Sequence, residues 1–206
     1  GLDYKIMSSV KTFKIFPVPI FECQIDDYVK INKELEKYIY KLKKSDPKGT
    51  NKSNAGGWHS SDFVIQDNAP IQNFISKFNN LLPDIFINQM GVDKKLDNIK
   101  ILNMWSVVNG KNTFNTKHNH PNSYFSSAYY VKTNENSGHI KFFDPKEVKT
   151  MYSPGIGKLN EFSTNIVRIK PEEGKLLLFP SYLHHSVEEN VSDEDRIVIS
   201  FNIDIK

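Results

Sequence analysis

From Ile99 to its end the chain reads as short apolar runs broken by turn signals, at 99–109, 125–133, 139–143, 164–170, 174–180, 185–189 and 196–204. Val, Ile, Phe and Tyr dominate the runs, and no helical periodicity separates them. Strands this short and this evenly spaced bury their faces only by closing on one another, as a sandwich or jelly roll. The predicted class is mainly β with flanking helices (α+β), a cupin-like jelly roll.

The first half supplies the flanks. Residues 10–25 alternate and are rich in Phe, Ile and Val, which predicts one or two strands interrupted at Pro17 and Pro19. Asp26 or Asp27 is placed to cap a helix carrying Tyr28, Ile31, Leu35, Tyr38 and Leu42 at three- and four-residue steps. Pro47 and Gly49 end it, and residues 45–57 read as a loop. A second helix follows Asn68, with Ile71, Phe74, Ile75, Phe78 and Leu82 on one face; Pro83 either ends it or starts another turn. These helices are expected to cover the outer face of one sheet. The expected organisation is one domain over 1–206, with 1–98 as strand and helical support and 99–206 as the jelly-roll core.

Composition narrows the function classes. No apolar run approaches the roughly 18 residues of a membrane span, and the start, Gly1-Leu2-Asp3-Tyr4-Lys5, carries no apolar signal region. A net charge of +3, with dispersed lysines, argues against a nucleic-acid partner. The single cysteine, Cys23, excludes an intrachain disulfide framework and suits a reducing compartment, with the cytoplasm as the expected location. Cys23 reads as a small core or edge residue. An oligomer is left open.

Chemistry concentrates in the β half. In an extended segment, His118 and His120 of His118-Asn119-His120-Pro121 project from one face about 6–7 Å apart. Both imidazoles can then meet one metal ion, with a third ligand from a later strand. His184 and His185 are adjacent, so they point to opposite faces and only one can serve. His59 and His139 have no recommending spacing and are expected at the surface. Arg196 follows the distal pair with Ser200 and Asn202 on the same face of its strand; a guanidinium there suits a carboxylate, because its planar fork matches two oxygens. Tyr130, on the strand after the His-x-His loop, is a candidate partner for that same carboxylate, while Tyr129 points the other way. Asn103, Ser126 and Asn109 are candidates to line the cavity. Trp58 in Gly56-Gly57-Trp58-His59 is a candidate lid or substrate residue, with core packing the equal alternative, and the polar loops 45–57 and 146–163 are expected to shape the pocket.

As a set, several segments resemble a 2-oxoglutarate/Fe(II)-dependent oxygenase family. They are His118-Asn119-His120-Pro121-Asn122-Ser123, Ser126-Ser127-Ala128-Tyr129-Tyr130-Val131, Ser137-Gly138 and Phe143-Asp144-Pro145. Phe179-Pro180-Ser181-Tyr182-Leu183-His184-His185-Ser186-Val187 and Arg196-Ile197-Val198-Ile199-Ser200-Phe201-Asn202 are similar to its later motifs, and Gly56-Gly57-Trp58-His59-Ser60 and Trp105 also fit. The resemblance implies a double-stranded β-helix, Fe(II) as metal, 2-oxoglutarate as cosubstrate, and hydroxylation of a small-molecule or peptidyl substrate. It selects His185 over His184, and Arg196 as the cation for the cosubstrate's distal carboxylate. One departure stands out: His120 occupies the place of the usual Asp or Glu. Either three histidines form the site, or one lies outside it, or Asp144 supplies a carboxylate; the i, i+2 geometry favours three histidines. The competing classes are a non-oxidative cupin-like metal-binding protein or isomerase, and a metal-free jelly-roll interaction protein.

Overall fold

The computed structural model describes residues 10–93, 99–152 and 154–205, so the start of the chain through residue 9 lies outside the described residues. Two antiparallel sheets face each other. Strands β1 (Phe21–Gln24), β3 (Trp58–His59), β4 (Ile99–Asn109), β6 (Phe125–Lys132), β9 (Lys175–Pro180) and β11 (Arg196–Ile205) form a six-stranded sheet in the order β1-β9-β6-β11-β4-β3. Strands β2 (Asn54–Ala55), β5 (Phe114–His118), β7 (Ile140–Phe143), β8 (Ile166–Ile169) and β10 (His185–Val187) form the second, in the order β2-β5-β10-β7-β8.

The period-two alternation of β11 divides the molecule. Ile197, Ile199, Phe201 and Ile203 face outward into the main core, where they meet helices α1 (Tyr28–Ser45) and α2 (Ala69–Phe78). Arg196, Val198, Ser200 and Asn202 face inward and line the cavity between the sheets. The helices bury Ile31, Leu35 and Ile39 of α1 and Ile71, Phe74 and Phe78 of α2. Phe74 packs on Tyr129 (4.4 Å between ring centroids) and Phe78 stacks on Phe201 (4.7 Å). Asn32, buried among these apolar residues, accepts the Tyr129 hydroxyl (2.7 Å), so α1 is docked on β6 by a satisfied polar contact.

Several local expectations shift. Of residues 10–25 only Phe21–Gln24 pair as a strand; Pro17 and Pro19 carry no N–H to donate, and Phe16 sits at φ 55°. Asp27 precedes α1 with φ 57° and no side-chain cap bond. Pro83 does not stop the second helical region: a turn, α3 (Leu81–Pro83), runs into a π-helical segment, Asp84–Gln89. Among the described residues no helix is long and apolar enough to cross a membrane.

Candidate metal centre

Strand β5 ends at His118 and β10 begins at His185, and the two are register partners across the small sheet. The chain then turns, and His120 is held by its own N–H, which donates to the Ser181 carbonyl (2.9 Å) just past β9. Potential ligand nitrogens of His118, His120 and His185 all lie within 4.8 Å of one another. His184, exposed on the opposite face, is not among them.

The outer nitrogens set the chemistry of the inner ones. His118 Nδ1 lies 2.7 Å from the Thr116 carbonyl and His185 Nδ1 lies 3.0 Å from that of Leu183. A carbonyl only accepts, so each Nδ1 carries the proton and each Nε2 keeps its lone pair for a metal. His120 has no such ring bond among the described residues; its ring rests against Trp105 (5.6 Å). Burial lowers the pKa of all three, with repulsion from neighbouring imidazoles adding to it, and His120 is brought down to about 4. All three are therefore neutral at pH 7, the state that coordinates.

A hydroxyl chain secures the His120 turn to the large sheet. Ser123 bonds Ser181 (2.9 Å), Ser181 bonds Ser126 (2.7 Å), Ser126 bonds Asn202 (2.7 Å) and Asn202 bonds Asn103 (3.0 Å). Ser126 thus supports the wall from behind, whereas Asn103 and Asn202 line it.

Farther along β11 lies Arg196, opposite Asn109 and fully buried. Its Nη1 donates to the carbonyls of Ser137, Gly138 (3.3 Å) and Glu188 (3.3 Å). Its Nε and Nη2 have no partner among the described residues. Burial lowers its pKa to about 10, which leaves it charged at neutral pH. The N–H groups of these two nitrogens, unpaired on a buried cation, are costly unless a ligand accepts them. The same cavity, about 780 Å³, is lined by the three histidines, Arg196, Tyr130, Ser200, Asn103 and Asn109. Tyr130, a strand neighbour of Val198, is buried, which pushes its phenol pKa upward. The donor set fits the implied groups: three neutral imidazoles for a divalent metal, and a buried fork for a carboxylate.

Other candidates sit elsewhere. Asp144 is outside the cluster; its carboxylate is paired with Lys149 Nζ (2.6 Å) and accepts the Lys146 N–H (2.8 Å), as a turn residue does. Trp58 is not a lid: it lies in the main core, and its indole N–H donates to the Asp46 carbonyl (2.8 Å). Thr50, Lys52 and Ser53 of the first polar loop line the cavity, but no described residue of 146–163 does. His139 is half-buried beside Glu188 (3.3 Å). His59, expected at the surface, is only 8% exposed and lines the cavity. The signal was alternation: once Trp58 enters the core, His59 must face the other side.

Fold and site together define a double-stranded β-helix whose cavity gathers three histidines and a buried arginine. Residues 103–202 match the family model described as "Putative 2OG-Fe(II) oxygenase". The fold is similar to a prolyl-4-hydroxylase of Pseudomonas putida, at 10% identity and TM-score 0.65, covering 92% of this chain and 94% of that one. It is similar to HygX from Streptomyces hygroscopicus, solved with nickel, 2-oxoglutarate and hygromycin B, at 10% identity and TM-score 0.59, covering 91% and 83%. A prolyl hydroxylase from Trichoplax adhaerens aligns at 16% identity and TM-score 0.57, covering 89% and 83%. No curated protein sequence matches.

Proposed function

We propose that this chain is an Fe(II)- and 2-oxoglutarate-dependent oxygenase that hydroxylates a small-molecule or peptidyl substrate, with His118, His120 and His185 as metal ligands. The observation that carries the reading is one cavity holding both three converging imidazoles and a buried arginine with two unpaired donors. A metal-free interaction protein has no use for the first, and a non-oxidative cupin has none for the second. When bound, iron with 2-oxoglutarate supplies the oxidising chemistry: O2 is consumed, 2-oxoglutarate becomes succinate and CO2, and one oxygen atom enters a substrate C–H bond.

The protein's own part is placement. His118 and His185 offer Nε2 because their Nδ1 protons are held by backbone carbonyls. Arg196 fixes the distal carboxylate through Nε and Nη2, with Tyr130 and Ser200 beside it in the same wall. Apolar walls at Phe179, Val198 and Val107 restrict water in the inner end. The test is an anaerobic titration of metal-free protein with Fe(II) and then 2-oxoglutarate, read as the visible metal-to-ligand charge-transfer band. The band is expected in the wild-type protein and absent in His185→Ala. Iron binding without it would favour the non-oxidative cupin, and no iron binding would favour the interaction protein.

A further inference from the structure

His59 is the one histidine of the cavity wall that the metal centre does not use. It sits on β3, register partner of Val107 on β4, at the edge of the large sheet. Its ring is fixed on two sides. Nδ1 lies 2.7 Å from the Ser60 carbonyl and 2.9 Å from Thr50 Oγ, and the ring stacks on Trp105 (5.8 Å between centroids, 11° between planes). Trp105 in turn lies against His120, so the His59 ring is one aromatic residue removed from the metal cluster.

The Ser60 carbonyl can only accept, so the His59 proton is on Nδ1 and Nε2 presents a lone pair. Among the described residues nothing donates to Nε2. Burial lowers the pKa of the ring, which keeps it neutral. A rigidly held acceptor on a residue that lines the cavity is placed to take a donor from a bound molecule. The cavity lining that its own loop and β5 with the following turn contribute is mainly polar: Thr50, Ser60, Asn115, Thr116 and Asn119, with exposed Lys52 and Asp62 of opposite sign.

We propose that His59 is a substrate-positioning residue whose Nε2 accepts a hydrogen bond from a neutral O–H or N–H donor, an alcohol or amide group of the substrate, held beside Trp105. The proposal rests on the oxygenase reading for what then happens to that substrate, but the acceptor site itself does not depend on it. A carboxylate or phosphate would bring a second lone pair against Nε2, and the site discriminates against it by leaving both unpaired.

The test uses the full chain loaded with redox-inert Zn(II), with and without 2-oxoglutarate, and reads the side-chain nitrogen resonances of ¹⁵N-labelled histidine. The probes are N-methylacetamide (amide donor), glycerol (alcohol donor), N,N-dimethylacetamide (no donor) and acetate. One of the donor probes is expected to move the His59 Nε2 signal upfield and saturably; which of the two does so identifies the donor type. Affinity for that probe should fall about fivefold to tenfold in His59→Phe, the weight of one hydrogen bond in a sheltered site. An equal response to N,N-dimethylacetamide or acetate, or a linear drift without saturation, overturns the assignment. Failure of 2-oxoglutarate to bind the Zn(II) protein would count against the oxygenase reading, while a saturable donor response at His59 would still support the acceptor site.

Discussion

Replacing Arg196 by Met separates cosubstrate binding from metal binding. The substitution keeps a long side chain of similar reach and removes both the charge and the Nε and Nη2 donors that no described protein group uses. Removing one partner of a buried, hydrogen-bonded charge pair costs about 2–5 kcal/mol, or roughly 30-fold to several thousand-fold in Kd for 2-oxoglutarate. In the unliganded protein two effects oppose each other. The carbonyls of Ser137, Gly138 and Glu188 lose a donor, but an uncompensated charge leaves the interior. Stability without cosubstrate should therefore change little. The assay is thermal unfolding of Zn(II)-loaded protein with 2-oxoglutarate at 100 times the wild-type Kd. Wild type should gain about 2.7 kcal/mol, or about 5–10 °C in Tm for a chain of this length. With Kd raised 30-fold the gain falls to about 0.9 kcal/mol, or about 2–3 °C. A variant that keeps the full shift would refute the role of Arg196. So would one that loses the Zn(II)-dependent shift in parallel.

Acid should weaken the protein through its histidines. His120 titrates near 4 when folded, against an ordinary value near 6.5 in the unfolded chain. The unfolded state therefore takes up protons first as pH falls, and the loss of stability runs from about pH 6.5 down to about pH 4. Denaturant midpoints of metal-free protein should decline across that window and be flat just above it, and metal affinity should fall with them. Tyr130→Phe removes a hydroxyl from the wall shared with Arg196. It should weaken 2-oxoglutarate about fivefold to tenfold in a calorimetric titration while leaving Zn(II) affinity unchanged. Gly138→Ala should cost roughly 1–3 kcal/mol in chemical denaturation. Its φ of +81° suits glycine, and an added Cβ would lie 2.5 Å from the Glu188 carbonyl oxygen, one of the acceptors of Arg196. Unchanged stability would mean that the 138–188 contact is looser than drawn.

The sequence was most readable where one period ran uninterrupted. β11 alternates strictly from Arg196 to Ile203, and that alternation alone sorts the core residues from the cavity residues. The same logic put Tyr130 in the cavity and Tyr129 under the helices. β5 escaped because Phe114–His118 is mostly polar; it is a strand by virtue of pairing with β2 and β10, not by its own composition. Residues 10–20 failed in the opposite way, apolar in pattern but interrupted at Pro17 and Pro19, which cannot donate to a ladder. His59 was misplaced because the phase of a two-residue strand is invisible until its neighbours are known. Asp144, the alternative carboxylate ligand, stands before Pro145 as a turn residue does, and its partners are the lysines of that turn.

The two sheets are held together by unlike means. β11 and β4 pair continuously from Arg196–Asn109 to Ile205–Ile99 apart from one irregularity, over a packed core. In the small sheet, β10 is three residues long, and its link to β5 is the His185–His118 pair and one further pair beyond a bulge. A metal ion bound by those two histidines would therefore also fasten a seam that has only two register pairs. Iron starvation would do more than silence such a protein. It would unpin one sheet while leaving the other whole, and the seam that opens is where unfolding or proteolysis would begin.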